Sequence, residues 1–173
     1  RFNIKLDGIE YDKKFVFEEV GHNFEPSELG AAFGLVQLSK LNKNLILKKK
    51  NFLNLKDFFL QYKEYFIPPS QLSNSKTGWL AFPITIKNNA PFSRKQMQIY
   101  LEKRNIQTRV IFTGNVIRQP AFKNIRMKKS KKGYPIADQV MKGGILIACH
   151  QGLTEDMIQH MKNSITKFIN IYK

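Results

Sequence analysis

Trp79-Leu80-Ala81-Phe82-Pro83-Ile84-Thr85-Ile86-Lys87 carries the clearest strand signal in the chain. Its residues fall into two interleaved sets, Trp79, Ala81, Pro83 and Thr85 against Leu80, Phe82, Ile84 and Ile86. Alternate side chains of a strand point to opposite faces, and here both sets are largely apolar, so both faces of the sheet are expected to be covered. Pro83 lacks the N–H that a ladder needs, which points to a sheet edge or a bulge. Toward the C terminus, Ser93 with Gln96 matches a capping box and opens a helix to about Asn105. Ile106 to Ile111 reads as a second strand and residues 112–122 as a loop. A helix around Ile136 to Lys142 stops at Gly143-Gly144, and Ile145 to Cys149 forms a third strand. Thr154 caps the last helix, whose expected apolar face is Met157, Met161, Ile165, Phe168 and Tyr172.

Toward the N terminus, Ile67-Pro68-Pro69 closes a long helix, because a proline disfavours helical geometry in the residue before it. Leu45, Phe52, Leu55, Phe59, Tyr62 and Phe66 recur at helical spacings and make one buried stripe. A separate, earlier helix is expected from Ser27 to about Leu41-Asn42. Residues 1–19 show no clean period; Tyr11-Asp12-Lys13-Lys14 reads as a turn and Phe15-Val16-Phe17 as a short extended piece. The order is two helices, then strand, helix, strand, helix, strand, helix. It gives a three-stranded sheet covered by helices, an α+β fold.

With 173 residues, 42% of them hydrophobic, the chain can build a real core. No apolar run is long enough to span a bilayer and no secretory signal opens the chain. The start at Arg1, directly in structured-looking sequence, reads as a segment of a longer protein. The single cysteine, Cys149, cannot form an intrachain disulfide, which suits a reducing, cytoplasmic setting. A formal net charge of +16 raises the question of polyanion binding. The cations are mostly lysine, and scattered apart from Lys48-Lys49-Lys50 and the run from Lys123 to Lys132. Base-reading contacts favour the fork of arginine. The expectation is a solvated basic surface, with no nucleic-acid and no membrane partner. A basic nucleic-acid-binding domain stands as the alternative from another functional class.

A second informative stretch is Gly21-His22-Asn23-Phe24-Glu25-Pro26-Ser27-Glu28-Leu29-Gly30-Ala31-Ala32-Phe33-Gly34, continuing through Gln37-Leu38 to Leu41. A loop enters a helix here. Pro26 suits a helix start, and Ser27 and Glu28 place a hydroxyl and a negative charge beside the free N–H groups. Gly30 and Gly34, spaced i and i+4, share a face and cost roughly 1 kcal/mol each against alanine. Either tight core packing or the approach of a ligand or neighbouring subunit would offset that. A third stretch, Thr108-Arg109-Val110-Ile111-Phe112-Thr113-Gly114-Asn115-Val116-Ile117-Arg118-Gln119-Pro120, ends a strand and opens a loop. Arg109 and Arg118 offer donor forks for phosphate or carboxylate. Gly114 allows a sharp turn, and Asn115 supplies a donor and an acceptor. The same polar groups would equally serve to tie the loop to neighbouring carbonyls.

The pattern G-x-N followed by S-E-x-x-A-A-x-G-x-x-Q-L-x-x-L, at Gly21 to Leu41, resembles the sugar aminotransferase and dehydratase family of pyridoxal-phosphate enzymes. The run Leu101 to Arg109 with Phe112, Gly114-Asn115, Arg118 and Pro120 is similar to the family's nucleotide-sugar 3-dehydratase branch. So is Arg1-Phe2-Asn3-x-Lys5-Leu6 with Tyr11-Asp12, which looks like the segment after that branch's iron–sulfur cysteines. His22 departs from the tyrosine usual at its position. The resemblance implies the C-terminal small domain of a fold-type I aminotransferase-like enzyme. It further implies 3-dehydration of a nucleotide-diphospho-sugar, typified by CDP-4-keto-6-deoxyglucose, on the way to 3,6-dideoxysugars of lipopolysaccharide. The cofactor amine would condense with the 4-keto group, the 3-hydroxyl leave, and an iron–sulfur cluster pass electrons from an iron–sulfur/flavin reductase.

On the same resemblance, Asn23 and His22 lie at the pyridoxal or pyridoxamine 5'-phosphate, Asn23 reaching the cofactor phosphate of the other subunit in a homodimer. Arg109, Asn115 and Arg118 are the expected substrate-binding residues. The catalytic lysine or histidine, the ring-stacking aromatic and the cluster cysteines would all lie upstream, leaving the segment inactive alone. Residues 1–66 then comprise the linker, cofactor-side loop and long helices, and 67–173 the α+β small domain, all one structural unit. A sugar aminotransferase of the same fold is the nearer alternative. His150 and His160 make no site by their spacing, and Asp138 reads as a carboxylate at a helix start.

Overall fold

A computed structural model describes residues 4–6, 8–11, 16, 20–22, 24–122 and 124–173, in two compact units, Arg1–Ser39 and Lys40–Lys173. In the first unit, β1 (Ile4–Leu6) and β2 (Ile9–Tyr11) pair antiparallel with Leu6 opposite Ile9. Their two-residue connection ends in Gly8 at φ +84°, the left-handed geometry that tight hairpins need. The turn expected from Tyr11 is corrected at its first residue: Tyr11 belongs to β2, and the chain reverses at Gly8. Asp12 to Phe15 lie outside the described residues.

Glu28–Leu60 forms α1, one helix of 33 residues where two were expected. Asn42 and Asn44 are weak helix formers, but neither glycine nor proline interrupts the run after Gly34, so nothing stops propagation. Ser27 O accepts the first helical bond from Ala31 N at 3.0 Å. Among the described residues the core packing considered for Gly30 and Gly34 is not made. A Cβ at Gly34 would meet nothing within 4 Å, and one at Gly30 only Ser27 Cβ at 3.9 Å. Leu29, Phe33 and Val36, an i, i+4, i+7 stripe on the adjoining face, are exposed.

In the second unit, β3 (Phe66–Ile67), β4 (Ala81–Ile86), β6 (Gly144–Ala148) and β5 (Thr108–Val110) form an antiparallel sheet in that order. The three expected strands are there; β3, only two residues long, is too short for alternation to announce. Phe52, Leu55, Phe58 and Phe59 of α1 are buried in this unit, whereas Leu45 stands at its margin and Phe66 enters from β3. Phe59 stacks on Phe82 with centroids 5.4 Å apart and meets Phe66 edge-on at 5.1 Å. Phe82, Ile84 and Ile86 make the buried face of β4, while Ala81, Pro83 and Thr85 opposite are half-buried.

Pro83 sits in an interior strand and still costs no ladder bond. Lys87 N–H bonds Tyr65 O at 2.8 Å, so in extended chain the nitrogens of Thr85 and Pro83 also face the β3 side. Ile67 pairs with Thr85, so β3 has ended before the level of Pro83. The edge that the proline requires is local.

Ser93 caps α2 (Arg94–Glu102) with the expected capping box: Gln96 N donates to Ser93 Oγ at 3.3 Å and Ser93 N to Gln96 Oε1 at 2.7 Å. On the half-buried side, α3 (Pro135–Gly143) runs into β6 without a loop. A Cβ on Gly143 would overlap the Ile86 carbonyl, so glycine is what lets the helix end so close to β4. Thr154 caps α4 (Glu155–Asn170) by accepting from Met157 N at 3.3 Å. The face of α4 differs from expectation: Ile158, Met161, Ile165, Phe168 and Ile169 are buried and Met157 is exposed. Both Met157 and Ile158 stand at helical spacing from Met161, so the sequence allowed two faces one residue apart. The architecture is the expected α+β. Among the described residues no helix is long and apolar enough to cross a membrane.

Candidate functional site

Val110 at the end of β5 lies opposite Ile145 near the start of β6, so the arginine-bearing loop leaves the sheet where α3 enters it. Gly114 N–H closes a turn onto Ile111 O at 2.9 Å, with Phe112 at φ +41° and Gly114 at φ +63°. A Cβ on Gly114 would stand 2.6 Å from Met141 Cβ, so the residue is required both for its backbone and for its closeness to α3. Asn115, buried, accepts from Ile117 N at 3.3 Å and starts a 3-10 turn, Val116–Arg118.

The loop residues converge on a carboxylate in the first turn of α3. Asn115 Nδ2 donates to Asp138 Oδ1 at 2.6 Å. Arg118 Nε donates to the same oxygen, and its Nη2 to Oδ2 at 2.7 Å, a side-on fork. Hydrogen bonds from Arg118 first, and from Asn115 second, outweigh partial burial and draw the Asp138 carboxyl down to about 2. The hydrogen bond to Asp138 first, and its charge second, raise the Arg118 pKa further. The arginine side chain remains 59% exposed, against 33% for the aspartate.

Of the expected substrate residues, Asn115 and Arg118 are brought together, and Asp138 joins them. Arg109 is exposed on β5 and works on a different carboxylate. Glu102 is held below its usual range mainly by hydrogen bonds from Thr108 N and Oγ1, at 2.6 and 2.9 Å, with a smaller contribution from the charge of Arg109. His22 is exposed and stacks on Phe24 with centroids 5.6 Å apart. Asn23 lies outside the described residues. Asp138 was read from sequence only as a helix-start carboxylate. A signal for its larger role was present: no Asp or Glu occurs between Glu102 and Asp138, so it is the next carboxylate along the chain that the loop could meet.

Elsewhere, His150 and His160 line a cleft of about 470 Å³ with Asp156. His150 Nδ1 accepts from Gly152 N at 3.1 Å, and His160 Nε2 stands 2.9 Å from Arg104 O. Among the described residues no three His, Cys, Asp or Glu side chains gather to hold a metal. Burial pushes the Cys149 thiol up to about 11, which leaves it unreactive near neutral pH.

This combination, a small antiparallel sheet with a long helix and an arginine-bearing loop at one end, is shared with part of solved aminotransferase-fold structures. The solved structure titled E coli GDP-4-keto-6-deoxy-D-mannose-3-dehydratase with bound hydrated PLP superposes with a TM-score of 0.74 at 25% identity, over 88% of this chain and 39% of that one. The chain belongs to the DegT/DnrJ/EryC1/StrS aminotransferase family, whose model matches residues 2–166. It is 33% identical to a dTDP-4-dehydro-2,6-dideoxy-D-glucose 3-dehydratase of Saccharopolyspora spinosa, over 92% of this chain and 34% of that protein. It is 29% identical to the lipopolysaccharide biosynthesis protein RfbH of Salmonella typhimurium, over 93% of this chain and 37% of that one. The chain thus spans about a third of the length of the curated relatives it matches.

Proposed function

We propose that this chain is the substrate-side part of a pyridoxal/pyridoxamine 5'-phosphate-dependent 3-dehydratase acting on a nucleotide-diphospho-4-keto sugar, in the making of deoxysugars for lipopolysaccharide. The observation that carries the reading is the Arg118 guanidinium, fixed by Asp138 on one side and exposed on the other. Phosphate or sugar oxygens fit such a fork. Arg109 supplies a second cation from β5, and Asn115 holds the loop in shape. Asn23, with His22 beside it, would hold the cofactor phosphate of the other subunit in a homodimer. When bound, the cofactor supplies the electron sink that lets the 3-hydroxyl leave. The likeness to proteins named for dTDP and GDP sugars supports the substrate class rather than CDP in particular. An iron–sulfur cluster and a reductase partner belong to the lipopolysaccharide form of this reading; iron and acid-labile sulfide analysis of the whole protein tests them.

The family's designation favours one second reading, a sugar aminotransferase. The two differ in product, a 3-deoxy keto sugar against an amino sugar. The test of the site is substrate binding by whole, cofactor-loaded enzyme carrying Arg109→Ala or Arg118→Ala. Each change should raise the nucleotide-sugar Kd roughly ten- to a hundredfold, with lysine rescuing only in part. Parent-like binding by both variants would leave the loop a purely structural one.

A further inference from the structure

We propose that Asp138 is a positioning residue: from the first turn of α3 it locks the side-on fork of Arg118 so that the end-on fork faces the substrate. The inference rests on the loop being the substrate-binding one, and names the residue that aims it.

Three observations carry it. The platform is firm, because Arg94 Nη1 donates to Met141 O at 2.5 Å and Gly143 packs on the backbone of Ile86, tying α3 to α2 and to β4. The loop, by contrast, is held mostly by itself. Gly114 bonds Ile111, Arg118 N bonds Asn115 O at 3.0 Å, and Gln119 Nε2 bonds Thr113 O at 2.9 Å. Among the described residues, the side-chain hydrogen bonds that tie residues 111–122 to the rest of the unit all end on Asp138. Gly114 seated on Met141, one turn along α3 from Asp138, adds a contact on the same helix face.

The third observation concerns how the guanidinium is used. Nε and Nη2 are committed to the carboxylate, which leaves Nη1 and the outer N–H of Nη2 on the exposed side of a side chain that is 59% exposed. Two parallel N–H groups match two oxygens of one phosphate. An unanchored arginine would lose its rotamer freedom on meeting a ligand, whereas this one is already ordered. Because its charge is balanced by Asp138, the exposed fork selects by direction more than by net charge. The substrate feature it fits is a phosphate of the diphosphate bridge.

The experiment is a double-mutant cycle in whole, cofactor-loaded enzyme: Asp138→Ala, Asp138→Asn, Arg118→Ala and the Asp138→Ala/Arg118→Ala pair, titrated with CDP-, dTDP- and GDP-linked 4-keto-6-deoxy sugars. Asp138→Ala should raise Kd about tenfold, with Asp138→Asn between it and the parent and cofactor affinity unchanged. In the Arg118→Ala background the same change should add nothing. Parent-like binding by Asp138→Ala, or losses that simply add, overturns the inference while the proposed function stands. If the parent binds none of these sugar nucleotides, the proposed function falls instead. Hydrogen exchange at the Arg118 and Gln119 amides then decides on the anchor alone: acceleration of about tenfold or more in both Asp138 variants supports it, and unchanged exchange overturns it.

Discussion

Gly114 and Asp138 show how differently single residues announce themselves. The need for glycine in a sharp turn is local, and φ +63° agrees with it. The partners of Asp138 lie 20 and 23 residues earlier, and such pairing leaves no period or motif, only the lack of any carboxylate between Glu102 and Asp138. Ser93 and Thr154 were legible as caps because an N-cap and its N–H partner are three residues apart. Asp138 also yields a pH prediction. Its carboxyl is drawn from an ordinary 3.8 to about 2, so the anchor contributes in full above the ordinary value and is lost as pH falls from about 4 toward 2. The Asp138 carboxyl carbon, followed by NMR, should titrate near the lower figure and move up toward the ordinary range in Arg118→Ala. A midpoint unaffected by that substitution would contradict the ion pair.

Among the elements, α1 and the sheet make the clearest case for what patterning can and cannot say. The apolar spacing picked out Phe52, Leu55 and Phe59, all buried, but could not show that the helix runs unbroken from Glu28 or that it stops at Leu60. The face of α4 was ambiguous by one residue, since adjacent apolar positions both satisfied the spacing. Phe59 is fully buried between Phe66, Phe82 and Phe58, and its removal empties the middle of the core. Phe59→Ala should cost about 3–5 kcal/mol by urea unfolding. Phe33→Ala, on the exposed part of the same helix, should change the stability of the isolated chain by no more than about 0.5 kcal/mol.

For the whole molecule, the net charge of +16 invites the reading of a nucleic-acid binder. The expected outcome with mixed-sequence DNA is weak association near physiological salt, fading steeply as salt rises. Submicromolar, salt-tolerant binding would count against an enzyme as the sole reading. One border of the sheet is a poor template for further strands. Among the described residues no strand pairs with Ala81 to Ile84 on the side of β4 that β3 leaves, and an unpaired edge ordinarily templates the next strand. Pro83 presents no donor there, and Pro68-Pro69, which lack the N–H that a ladder needs, stand where β3 would have continued. Ala81 N–H and the carbonyls of Ala81 and Pro83 still face that border, but the donor missing at Pro83 interrupts the ladder, so a stray strand meets a poorer template where apolar side chains are close at hand.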